Sequence, residues 1–144
     1  MNIAIASDHG GFELKQQLIK HYKTIGLNMQ DLGTSSTESC DYPDIAHKMI
    51  KEIISKNVEL GILICGTGIG ISIAANRFKG IRAAILYDDF CAEMARKHNN
   101  ANIMVFGGRT MQFDDVVRRI DIFLNTEFEG GRHIKRLEKI EEGI

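Results

Sequence analysis

The segment Cys65-Gly66-Thr67-Gly68-Ile69-Gly70 joins a thiol to three glycines between an apolar run and a stretch of helical period. Glycine lets the backbone come close to a ligand and turn its N–H groups toward it. At a strand-to-helix junction those groups and the helix dipole favour an anion and, with it, the thiolate form of a nearby cysteine. A tight turn around an inert cysteine accounts for the same residues. A dinucleotide fingerprint fails because its third glycine would fall on Ile71, although Asp88 stands about where the ribose-binding acid belongs. A P-loop is excluded, since no Gly-Lys-Ser/Thr follows.

His98-Asn99 follows the helical pattern Cys91 to Lys97. An imidazole there either caps the helix or, if it lies near Cys65, moves protons at neutral pH. Asn99 is suited to hold a ligand oxygen. Arg132 and Arg136 are four apart, so on a helix both guanidinium groups leave one face and suit a phosphate. Pairing with Glu129 or Glu138 is the alternative, and Ile134, Leu137 and Ile140 form a separate stripe expected to pack. Arg109, after two glycines, and His9, after the first apolar run, are weak signals alone. Both fall where the predicted strands end. His21 and His47 lie within helical patterns and read as surface or packing residues, and Cys91 reads as core.

These groups need elements to hold them. Strands are expected at 2–7, 28–32, 60–65, 82–87 and 103–106. Helical patterns occupy 11–25, 44–56, 68–77, 89–98 and 111–124, with a last one at 132–142. Strands such as Gly61-Ile62-Leu63-Ile64-Cys65 are continuously apolar, which suits burial on both faces. The expected fold is α/β: a single domain over 1–144, a Rossmann-like three-layer α/β/α sandwich with about five parallel strands. Ligands of such sheets sit beyond the carboxyl ends of the strands. Nine of the 14 glycines cluster after the first, third and fifth strands and before the last helix, and so mark the candidate site.

Composition narrows the function. The 144 residues are 44% hydrophobic and 26% charged, as in a domain able to bury a core. A net charge of -1 argues against a nucleic-acid or membrane-surface binder, although it says nothing of local patches. The longest uncharged run, Leu60 to Asn76, is too short for a spanning helix and carries four glycines. The N-terminus lacks the basic start of a signal peptide. Three cysteines without a Cys-x-x-Cys pair point to neither disulfides nor zinc, and a reducing cytoplasm is the expected compartment.

Taken together, Asp8-His9-Gly10-Gly11, Asp41-Tyr42-Pro43, the Cys65 to Gly70 loop, Ala74-Ala75-Asn76, His98-Asn99, Gly107-Gly108-Arg109 and Gly131-Arg132-His133 with Arg136 resemble type B ribose-5-phosphate isomerase. The likeness runs in order over nearly the whole chain. The same superfamily holds galactose-6-phosphate isomerase subunits and allose-6-phosphate isomerases. The resemblance implies a cofactor-free, metal-free aldose–ketose isomerisation of a sugar phosphate through an enediolate. It makes Cys65 the base, and His98, helped by Thr67, the group that opens the sugar ring. Gly66, Thr67, Gly68, Ile69, Gly70 and Asn99 would bind the developing oxyanion. His9, Arg109, Arg132 and Arg136 would hold the phosphate, and Asp8 a sugar hydroxyl. It also implies a homodimer or a dimer of dimers, with the site shared between subunits. Cys65 and Ile69 in the loop assign the chain to the branch that uses a cysteine base, not a glutamate. Asn100 stands where that resemblance leads one to expect an aspartate, and the missing charge bears on the pH optimum. Two other readings remain: an isomerase of a six-carbon sugar phosphate, and a non-catalytic phosphate- or nucleotide-binding module.

Overall fold

The computed structural model describes residues 1–144. Five parallel strands, β1 (Ile3–Ser7), β2 (Gln30–Asp31), β3 (Leu60–Cys65), β4 (Ala83–Ile85) and β5 (Ile103–Gly107), form one sheet in the order β2-β1-β3-β5-β4. The helices are α1 (Phe12–Thr24), α2 (Tyr42–Ile54), α3 (Ile69–Ala75), α4 (Asp89–Lys97), α5 (Phe113–Leu124) and α6 (Arg132–Glu142), with a 3-10 turn at His9–Gly11. No helix is long and apolar enough to cross a membrane.

The strands bury both faces, as their unbroken apolar runs require. Ile5, Ile62, Ile64 and Phe106 point toward Leu18, Tyr22, Ile120 and Phe123, beneath α1, α4 and α5. Their neighbours Ala4, Ala6, Leu63 and Val105 face Met49, Ile50, Ile71 and Ala75 of α2 and α3. The sheet is therefore the middle of three layers. At its edge, the fully buried Lys15 of α1 donates to both carboxylate oxygens of Asp31 at 2.7 Å, and Asp31 also accepts from the Gly33 N–H at 2.9 Å. That pair ties β2 and the loop after it to α1.

Two expectations about packing fail. On α4 the buried stripe is Ala92 and Ala95; Cys91 is only half-buried and Phe90 is exposed. On α6 the apolar side chains do not pack against their own chain: Ile134 is 48% and Ile140 60% exposed, and the helix joins neither core. His133 is its one buried residue. Asp88, considered above as a ribose ligand, caps α4 by accepting from the Cys91 N–H at 2.6 Å.

Candidate active site

Strand order reverses between β1 and β3, and ligands of open parallel sheets sit at that crevice, beyond the carboxyl ends. β1 ends there in Asp8 and His9, β3 in the Cys65 loop, and β5, next to β3, in Gly107-Gly108-Arg109. Backbone bonds join the three ends. The Asp8 N–H donates to the Ile64 carbonyl at 3.1 Å, Gly108 N–H to that of Cys65 at 2.8 Å, and Arg109 N–H to that of Gly66 at 2.9 Å. Such close approach needs glycine at Gly108, where a Cβ would collide with the Gly10 carbonyl oxygen and lie 2.9 Å from the Gly11 Cα. The buried Asp8 carboxylate caps the following turn, accepting from Gly10 N–H at 2.8 Å.

Cys65 is 4% exposed, and its Sγ accepts a hydrogen bond from the Gly68 N–H at 3.2 Å. Gly68 can present that N–H because it has φ +82, a left-handed conformation open to glycine, where it starts α3. Thr67 is exposed, and its hydroxyl accepts from the Ile69 N–H at 3.2 Å. A cavity of about 340 Å3 opens beside this loop, lined by His9, Gly10, Glu13, Thr37, Gly108 and Arg109. The His9 Nδ1 accepts from the Cys40 N–H at 3.2 Å, which leaves the proton of the neutral ring on Nε2 as a donor. His9 and Arg109 thus offer imidazole and guanidinium donors to one small, polar cavity, the combination a phosphate requires.

The family model described as Ribose/Galactose Isomerase matches residues 3–140. The chain belongs to that family. Ribose-5-phosphate isomerase B of Escherichia coli is 42% identical over 138 residues, 96% of this chain and 93% of that protein. A Thermotoga maritima ribose 5-phosphate isomerase superposes with a TM-score of 0.97 at 49% identity, covering 99% of this chain and 98% of the other. The Mycoplasma genitalium ribose-5-phosphate isomerase B with bound ribulose-5-phosphate gives a TM-score of 0.91 at 41% identity, covering 98% and 94%. The protein is a sugar-phosphate isomerase with the Rossmann-like fold of these relatives.

One chain of this isomerase does not assemble all the expected residues. Asp8, His9, Cys65, the loop from Gly66 to Gly70, and Arg109 gather at the carboxyl end of the sheet. His98 does not join them. It closes α4, and a helix between two parallel strands runs back toward their amino ends, so His98 and Asn99 lie where β5 begins. Thr67 and His98 of one chain are therefore at opposite ends of the sheet. Arg132 and Arg136 are exposed on α6, on the His98 side, and take part in none of the ion pairs, which use Arg82, Arg118 and Arg119 instead. The alternative, pairing with Glu129 or Glu138, is absent.

The turn after His98 is firmly built. Asn100 adopts φ +44, a left-handed conformation that asparagine tolerates, and its side-chain oxygen accepts from Arg96 at 2.8 Å. Arg82 donates through Nε to the carbonyls of Asn99 and Asn100 at 3.1 and 3.0 Å, and through Nη1 to Glu141 of α6 at 2.8 Å. Arg82 thus ties the turn after His98 to α6. Sequence reasoning did not single out His133 as a site residue. It is 4% exposed and stacked on His98, with ring centroids 4.2 Å apart and planes 18° from parallel. Burial, and then the neighbouring His98 charge, push its pKa below the ordinary 6.5. Its place in Gly131-Arg132-His133 was the available signal.

Proposed function

We propose that this protein interconverts ribose 5-phosphate and ribulose 5-phosphate, and that its active site is completed by a second copy of the chain. The phosphate sits in the cavity between His9 and Arg109, and Asp8 binds a sugar hydroxyl. His98 of the partner subunit gives a proton to the ring oxygen and takes one from the anomeric hydroxyl, which opens the ring. Cys65, as thiolate, removes the C2 proton of the open aldehyde and returns it to C1. Negative charge moves onto the C1 oxygen in the enediolate, where the N–H groups of the glycine loop and Asn99 of the partner subunit offset it until that oxygen takes the proton of the C2 hydroxyl and the C2 carbonyl forms. Arg132 and Arg136, carried beside His98, close on the phosphate from the same side. Fixing this non-reacting group orients C1 and C2 against the thiol. Three free cysteines fit a reducing, cytoplasmic setting for a thiolate base.

The observation that carries this reading is the thiol of Cys65 at the β1/β3 crevice beside a cavity lined by His9 and Arg109. A six-carbon substrate would use the same residues, so the test compares substrates. Ribose 5-phosphate should turn over with the highest kcat/KM, unaffected by chelator, and activity should vanish in Cys65→Ala. Faster turnover of galactose 6-phosphate or allose 6-phosphate would reassign the substrate. Activity retained in Cys65→Ala would remove the base.

A further inference from the structure

His98 and His133 come from different helices, yet their rings lie face to face. Glu129 joins them. Its backbone N–H donates to the Lys97 carbonyl at 2.9 Å, which fixes it at the end of α4. Its two carboxylate oxygens then reach one ring each: Oε2 is 4.0 Å from the His98 Nε2, and Oε1 is 4.0 Å from the His133 Nε2. The His133 Nε2 is buried and has no hydrogen-bond partner closer than this carboxylate.

Two histidines and a glutamate within 4.8 Å of one another invite a metal. The orientation argues otherwise. Imidazole binds an ion in its ring plane, and two rings only 18° from parallel aim their nitrogens side by side, not at one point. Tetrahedral zinc would also draw its ligand atoms to about 3.4 Å from one another, closer than the 4.0 Å found. The arrangement suits sharing one proton. Two stacked imidazoles cannot both be charged without repulsion, and Arg132 and Arg136 add to it, whereas Glu129 favours a single cation. Burial makes His133 the neutral member. His98 is the half-exposed ring of the pair and the one open to a ligand.

We propose that His133 and Glu129 are positioning residues for ring opening: the buried ring sets the plane of the His98 imidazole, and the carboxylate shared by both rings fixes the stack at the end of α4. The proposal rests on the function given above, and its test separates the two. Ribulose 5-phosphate has no ring to open, so deuterium wash-in at its C1 from D2O reports the Cys65 step alone. Turnover of ribose 5-phosphate reports ring opening as well.

In His133→Ala, ribose 5-phosphate turnover should fall about tenfold or more while wash-in changes less than about twofold. His133→Phe, which keeps a flat ring on His98, should recover most of the loss. Glu129→Ala, at an exposed position whose side chain does not hold the fold, should lower ribose 5-phosphate turnover about threefold or more while wash-in changes less than about twofold. Equal loss of turnover and wash-in in His133→Ala, no recovery in His133→Phe, or an unchanged turnover in Glu129→Ala would overturn the proposal. If His133→Ala does not fold, His133→Phe and Glu129→Ala decide it, through a preserved turnover in the first and a selective loss of turnover in the second. Wild type that washes in no deuterium and turns over no ribose 5-phosphate would instead remove the function on which it rests.

Discussion

Cys65 and His98 stand at opposite ends of the sheet. Cys65 is level with Gly107, whereas His98 ends the helix that leads into Ile103, level with Gly61. Four residues of strand separate those levels, roughly 13 Å along the sheet. A base and an acid so placed in one chain cannot serve one five-carbon sugar, and the function proposed above brings each beside its counterpart in a second copy of the chain. Cys65→Ala and His98→Asn should each be inactive alone. Unfolded together in equal amounts and refolded, they should regain about a quarter of wild-type activity, since half of the dimers are mixed and each has one intact site. No recovery in refolded mixtures would mean that both groups act from one chain.

Removing the Arg109 guanidinium takes a charged donor from the cavity it shares with His9. Arg109→Ala should raise KM for ribose 5-phosphate about tenfold or more and weaken inhibition by inorganic phosphate to a similar degree. Steady-state kinetics with phosphate as inhibitor checks this. An unchanged phosphate inhibition constant would place the phosphate elsewhere.

Buried His133 is held neutral, with its pKa below the ordinary 6.5. Below about that pH the unfolded chain binds more protons here than the folded one, so stability is full above it and declines as pH falls through it. Melting temperatures at about pH 7.5 and about pH 5.5 should differ more for wild type than for His133→Gln. Equal differences would show that another group sets the acid limit.

The Lys15–Asp31 pair is asymmetric, because Lys15 is fully buried and Asp31 is 39% exposed. Asp31→Ala strands an ammonium in the core and should cost about 3–5 kcal/mol. Lys15→Met leaves a carboxylate that water can reach, and should cost clearly less. Urea unfolding of both variants measures the gap, and the reverse order would refute the assignment of the burden to Lys15.

The core of the fold was legible because strands such as Ile62-Leu63-Ile64 are apolar at every position, which only double-sided burial explains. Edge elements were less so: β2 shrinks to Gln30–Asp31 because half of its neighbours are missing. Three of the four glycine clusters lie at the carboxyl ends of β1, β3 and β5, since close backbone approach is written directly in residue type, whereas Gly130-Gly131 stands before α6. One misreading has a plain cause. Ile134 and Ile140 were expected to pack, but an apolar stripe says that something covers it, not whether the cover is the same chain. His98 and Cys65, which the resemblance puts in a site shared between subunits, lie apart in one chain because a crossover helix ends at the far side of the sheet. The His98–His133 stack joins segments distant in sequence, and no local pattern reports it. Net charge was the poorest guide: -1 over the chain conceals His9, Arg109, Arg132 and Arg136.

The strand order carries a consequence for biosynthesis. β4 touches the sheet only through β5, which is made later and must slip between β3 and β4. While the ribosome is still upstream of Ile103, a nascent chain can pair β2, β1 and β3, but β4 has nothing to lie against and the apolar flank of β3 stays bare. The growing polypeptide is therefore most exposed to misassociation just before β5 emerges, and its last third acts as the clasp that shuts the domain.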